Sequence, residues 1–148
     1  MNPLNSAVFC YVHDDDKIME KIRHFLEEEY RLKCCIPQRN FDYNMTYYDE
    51  AERNILRSAS TVVFLSVTAL HNDIHSIERN LARHVELHRS FMHRVIYITL
   101  ENLDDVSDLP TDLQVLMQYN EYIRWSENSD NSKSKFKQKL LSKIQRCL

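Results

Sequence analysis

Short apolar runs alternate with longer amphipathic ones along the whole chain. Ala7-Val8-Phe9-Cys10-Tyr11-Val12 is a continuous apolar run, the pattern of a strand buried on both faces. Asp14, Asp15 and Asp16 follow and offer N-caps and favourable charge for a helix start. Ile18, Ile22, Phe25 and Leu26 then recur at helical spacing as far as Tyr30. Leu32 to Ile36, closed by Pro37, reads as a second strand, and a polar, aromatic stretch runs from Gln38 to Tyr48. Ala51, Ile55 and Ala59 mark the next helix, and Thr61-Val62-Val63-Phe64-Leu65-Ser66 is the clearest strand of all. Ile74, Ile77, Leu81 and Val85 predict a third helix. Val95 to Leu100 is a fourth strand, Leu113, Leu116 and Met117 a short helix, and Tyr122-Ile123-Arg124-Trp125 a fifth strand. Phe136, Leu140 and Ile144 line a last helix that starts near Ser132 or Ser134.

Five such units in alternation predict an α/β fold, a parallel sheet with helices on both faces. Right-handed crossovers favour the flavodoxin-like strand order 2-1-3-4-5. There is no internal repeat, and the linker-like segment Ser126 to Ser134 is too short to separate domains, so residues 1–148 read as one domain. A chain of this length buries roughly 70% of the surface that it exposes unfolded, enough for a core without metal or disulfides. Ligands of such sheets bind beyond the carboxyl ends of the strands, where the order reverses. The loop after the first strand reads His13-Asp14-Asp15-Asp16, which would repel a flavin phosphate. A phosphoacceptor receiver needs an Asp ending strand three and a Lys ending strand five. Ser66 and Arg124-Trp125-Ser126 stand there instead.

Composition narrows the choice further. The chain has no glycine, where average usage predicts about ten. Glycine-rich phosphate loops, the dinucleotide fingerprint and the Walker loop are therefore excluded. Turns that need positive φ are left to Asn or Asp. A net charge of -3 gives no general attraction to nucleic acid or to an anionic membrane. No apolar run approaches the ~18 residues of a span, and Met1 to Ser6 is too short and polar for a secretory signal. Cys10, Cys34, Cys35 and Cys147 lack metal-ligand spacing, and two are adjacent, which suits reduced thiols in a cytoplasmic protein. No cofactor is expected.

Specific residues then resemble a family. Ser6-Ala7-Val8-Phe9-Cys10-Tyr11 is similar to the first box of Toll/interleukin-1 receptor (TIR) domains, an Asp-Ala-Phe-Ile-Cys-Tyr type of strand, with Ser6 in place of Asp. Tyr30-Arg31-Leu32-Lys33-Cys34-Cys35 with Arg39-Asn40-Phe41 resembles the second strand and the start of the BB loop, and its wording is nearest to adaptor members. The Pro-Gly usual in that loop falls on Tyr43-Asn44, and Asn44 is the residue able to take the left-handed conformation. Tyr122-Ile123-Arg124-Trp125 ahead of Phe136 resembles the end of receptor TIR domains, although the Phe-Trp box reads Phe136-Lys137.

The resemblance implies a module that self-associates and binds other TIR-domain proteins, receptors or adaptors, to scaffold innate immune signalling. Its contact surfaces would be the BB loop, with Arg39, Asn40, Phe41, Asp42, Tyr43 and Asn44, and the third helix, with His75 and Arg79. Tyr and Arg are common interface anchors. Two other functions stay open. In TIR domains that hydrolyse NAD, a glutamate on the third helix is essential, and Glu78 falls at that place. NAD would then be the substrate, and the carboxylate would stabilise oxocarbenium character as the glycosidic bond breaks. Ile74 stands where those enzymes carry Trp. The other is a decoy that blocks a host TIR domain, which the altered BB loop permits. The pairs His71/His75 and His84/His88 have helical spacing that can hold zinc, but no Cys is near, and no metal site is assigned. The acidic block Glu101, Asp104, Asp105, Asp108 and Asp112 has no compensating base in its stretch. Lys133, Lys135, Lys137, Lys139, Lys143 and Arg146 form a basic block with no acid. Complementary blocks of this kind could steer head-to-tail contacts between copies. No nucleic-acid partner and no membrane insertion is expected.

Overall fold

A computed structural model describes residues 3–89 and 92–148. Five parallel strands, β1 (Ala7–Cys10), β2 (Cys34–Cys35), β3 (Ser60–Leu65), β4 (Arg94–Thr99) and β5 (Ile123–Arg124), form one sheet in the order β2-β1-β3-β4-β5. The flavodoxin-like order is the one expected. β3 is the centre, pairing Val8↔Thr61 on one side and Thr61↔Val95 on the other. All six of its residues are buried, as its unbroken apolar pattern demands.

Among the described residues seven α-helices accompany the strands: α1 (Asp16–His24), α2 (Pro37–Asn40), α3 (Tyr47–Leu56), α4 (Val67–Leu70), α5 (Asp73–His88), α6 (Thr111–Gln118) and, after the last strand, α7 (Asp130–Gln145). Alternation along each strand sends side chains to two different cores. Phe9, Val62, Phe64 and Ile98 pack with α1 and α7 on one face. Val8 and Cys35 meet α3 and α5 on the other, where Cys10, Val63 and Leu65 meet α6. Cys34 and Cys35 thus face opposite sides of the sheet, and Cys10, Cys34, Cys35 and Cys147 are all free thiols.

Several local expectations are corrected. The aspartates after β1 do not cap α1 with their side chains. A turn of 3-10 helix, His13–Asp15, precedes it, and the Asp15 carboxylate accepts from the Ser66 hydroxyl at 2.6 Å. Pro37 opens α2 instead of merely closing a strand, because the first helical position needs no N–H. Ala59 lies beyond α3, just before β3. Asn44 is not left-handed: among the described residues only Arg31 (φ 53°) and Asn120 (φ 54°) have positive φ. Arg31 follows the π-helical turn Phe25–Glu29 that ends α1, so one of the two positions goes to a residue outside the Asn/Asp pair. The N-cap of α7 is Ser129, earlier than expected, and its hydroxyl accepts from Ser132 N–H.

The largest departure is on α5. Ile74 and Ile77 are 56% and 50% exposed, whereas His75, Glu78 and Arg79 are buried with Ala82 and Val85. Of the predicted apolar positions only Ile74 and Ile77 face solvent, while Leu81 packs against the core and Val85 is part of it, and His75, Glu78 and Arg79 are buried beside them.

Candidate functional site

Asn72 caps α5 by accepting from His75 N–H at 2.9 Å, and Thr46 caps α3 by accepting from Asp49 N–H at 3.2 Å. These caps set the starts of two helices beside the carboxyl end of β1. Between them lies a cleft of about 360 Å³, lined among others by Tyr11, Phe41, Tyr43, Tyr47, Ile74 and Glu78. It lies beside the point where the strand order reverses, where this architecture places ligands.

Glu78 forms its floor and is only 6% exposed. Its Oε1 accepts a hydrogen bond from the Tyr47 hydroxyl at 2.8 Å, and the Cys10 thiol lies beside it. Burial pushes the Glu78 carboxyl up to about 7, while the Tyr47 and Cys10 hydrogen bonds pull it partly back. Burial, followed by the neighbouring Glu78 charge, raises both Cys10 and Tyr47 as well. The site therefore holds protons at neutral pH and is no source of a thiolate or phenolate.

His75 and Arg79, assigned to a contact surface by their place on the third helix, are 1% and 0% exposed, so no partner reaches them in this conformation. Arg79 donates from Nε to Asp112 Oδ2 at 2.9 Å, and from Nη1 to His75 Nδ1 at 2.8 Å. Since arginine only donates, His75 carries its proton on Nε2 and gives it to the Phe64 carbonyl at 2.9 Å. Burial first, then the Arg79 charge, lowers His75 to about 4. Both imidazole nitrogens are committed, so the His71/His75 pair cannot chelate. Among the described residues no group of three or more metal-capable side chains exists.

The BB-loop residues divide. Arg39 grips Glu27 with Nη1 to Oε1 at 3.0 Å and Nη2 to Oε2 at 2.7 Å, and also donates to the Cys34 carbonyl. Asn40 Oδ1 accepts from Ile36 N–H at 2.8 Å. Phe41, expected at the surface, is buried against the Tyr47 ring and the core formed by Val8, Ala51 and Ile55. Asp42 ties the loop at both ends: its N–H donates to Glu50 Oε2, and its Oδ1 accepts from Asn44 N–H. The Tyr43 ring is 85% exposed, its hydroxyl tied to the Gln38 carbonyl at 2.9 Å. Asn44 is exposed. Sequence patterns placed Tyr47 in this aromatic stretch but gave no sign that it meets Glu78. Nor did they show that Cys10 or Asp112 completes a buried polar group.

The sequence profile of the TIR domain matches residues 8–141. The chain belongs to the TIR domain family. Solved TIR domains share its fold. That of the Toll-related receptor TRR-2 from Hydra magnipapillata superposes with a TM-score of 0.72 at 18% identity, covering 95% of this chain and 98% of that one. A metazoan TIR-STING receptor from C. gigas, in complex with 2',3'-cGAMP, gives 0.69 at 19% identity, covering 98% of this chain and 40% of that one. The RPS4 and RRS1 TIR domain heterodimer gives 0.60 at 9% identity, covering 95% and 96%. No curated protein matches the chain by sequence.

Proposed function

We propose that this TIR domain is a protein-interaction module that binds other TIR domains, copies of itself included, and scaffolds innate immune signalling in the cytoplasm. The observation that carries the reading is the pair of outward-facing isoleucines on α5. Ile74 and Ile77 stand three apart, so they share one outward face of the helix. Ile74 shares the cleft mouth with Tyr43 and Met45 of the BB loop, both exposed. A contiguous apolar patch of this kind marks an interaction surface. The solved RPS4–RRS1 pair is an example of one TIR domain bound to another. A decoy that occupies a host TIR domain would use the same patch.

Sedimentation of the purified domain across a concentration series tests this reading, with Ile77→Asp as the variant. The expected result is weakened association with an unchanged melting temperature. Association equal to that of the parent would remove α5 from the interface.

NAD hydrolysis is the second reading, favoured by the placement of Glu78 on the floor of a cleft. Against it stand Ile74, where TIR domains that hydrolyse NAD carry Trp, and the engagement of Glu78 by Tyr47, which a substrate would have to displace. Nicotinamide release from NAD that disappears in Glu78→Ala would establish the enzyme.

A further inference from the structure

A second cleft, of about 430 Å³, lies on the far side of the sheet from α5, between the edge strand β5 and the helix α7. Its walls carry Arg124, Lys135 and Lys139, together with Ser126 and Ser132. The floor is Ile123 and Phe136, both buried. No carboxylate lines it. The chain as a whole is acidic, at -3, so three cations around one cleft are not a sample of the average surface.

The cations are also available. Lys135 and Lys139 take part in no ion pair found among the described residues. They stand four apart on α7, so they project from one face. Arg124 meets an acid only at 3.7 Å, where Asp104 approaches one nitrogen. Its guanidinium is set in place by Tyr122, whose hydroxyl accepts from Nη2 at 3.1 Å and whose ring lies 5.7 Å beneath. A fork held on an aromatic face keeps its other N–H groups directed and loses less freedom when it binds. Of the acids nearest along the chain, Glu127 pairs with Lys21, Asp130 lies in the first turn of α7, where the helix dipole favours it, and Glu121 is exposed but does not line the cleft.

We propose that this cleft binds a multiply charged organic phosphate. A planar donor fork beside two ammonium groups suits a phosphate better than a single carboxylate, and the apolar floor accommodates the uncharged body of the ligand. The phosphate could be that of a free metabolite or of a lipid headgroup, and the chemistry of recognition is the same for both. The site is separate from the α5 surface and does not depend on the interaction reading.

Amide NMR of the labelled domain, titrated with inorganic pyrophosphate at constant ionic strength, is the test. Saturable shifts confined to Tyr122, Arg124, Ser126, Ser132, Lys135 and Lys139 are expected. The double variant Lys135→Glu/Lys139→Glu should weaken binding by about tenfold or more, since a hydrogen bond to a charged group is worth at least one decade of affinity. Its spectrum elsewhere should not change, because both side chains are exposed. A parallel arm separates the two sources. Pelleting with phosphatidylinositol-phosphate vesicles, but not with phosphatidylcholine vesicles, identifies a headgroup. Pyrophosphate binding without pelleting identifies a free phosphate. Shifts reproduced by sodium chloride, or unaltered in the double variant, would overturn the proposal. So would shifts that follow protein concentration without any anion, since a second copy would then be the occupant.

Discussion

Replacing Asp112 by Ala removes the only carboxylate that meets Arg79 among the described residues, and Arg79 is completely buried. The guanidinium keeps its hydrogen bond to His75, but an imidazole held neutral gives it no counter-charge. One of its nitrogens, Nη2, already lacks a partner. Breaking a buried ion pair from one side ordinarily costs about 3–5 kcal/mol, because it strands a desolvated charge. The Asp112 side chain is 30% exposed, so water can enter the vacated position and hold the loss near the lower limit, about 3 kcal/mol. In a domain of this size each kcal/mol moves the melting temperature by about 2–4 °C, which gives a fall of about 6–12 °C. Urea unfolding should show the midpoint reduced at an unchanged slope, the signature of lost stability in an intact fold. The double variant Arg79→Met/Asp112→Leu should recover much of the loss, since it removes both charges together. An Asp112→Ala domain within about 1 kcal/mol of the parent would refute the argument and show that water already screens the pair.

Glu78→Gln should change the pH dependence of stability. The folded carboxyl keeps to about 7 a proton that the unfolded chain releases near its ordinary 4.5. The parent therefore loses stability as pH rises through that window and is level above it, by about 3 kcal/mol in all. The variant, which keeps an acceptor for Tyr47, should lack this slope. Urea midpoints of both proteins between pH 4 and pH 8 measure the difference, and a constant difference would contradict it. Burial lowers His75 and His93, which costs stability as pH falls, but both proteins carry them and the term cancels. Arg31→Gly should raise stability by about 0.5–1 kcal/mol, because a side chain in the left-handed region costs more than the freedom glycine adds to the unfolded chain. A thermal shift of about 1–4 °C upward would register it, and a fall would mean that the Arg31 side chain contributes more than its backbone costs.

Much of the fold was legible because its strongest signals are local. Thr61 to Leu65 is buried on both faces and has no alternative to the sheet centre, and Phe136, Leu140 and Ile144 fit only one side of a helix. The ends of elements were less legible, since they depend on competing caps. Asp15 could have capped α1, but Ser66, distant in sequence, offers its carboxylate a short hydrogen bond instead. The acidic block misled for the same reason. Its apparent lack of compensating base holds only along the chain, because Arg79 reaches Asp112 from α5 and Arg124 approaches Asp104 from β5.

The packing of α5 shows why the candidate site was the least legible part. Periodicity marks which residues share a face but not what that face meets. On α5 two stripes compete: Ile74-Ile77-Leu81-Val85, of which only Leu81 and Val85 reach the core, and His75-Glu78-Arg79-Ala82, which is buried. Burying the first satisfies the hydrophobic effect directly. Burying the second is possible only because each polar group finds a partner at a distance along the chain: Phe64 and Arg79 for His75, Tyr47 for Glu78, Asp112 for Arg79. Two isoleucines left half in water forgo roughly 1 kcal/mol or more each. No described residue covers their exposed area, which is the reason to look outside the chain. Contact with another TIR domain would recover the same apolar area, so the energetic defect of the isolated domain and its proposed function are one feature. If sedimentation shows Ile77→Asp to be no less associated than the parent, the exposed isoleucines are only a tolerated cost, and the interface must be sought elsewhere.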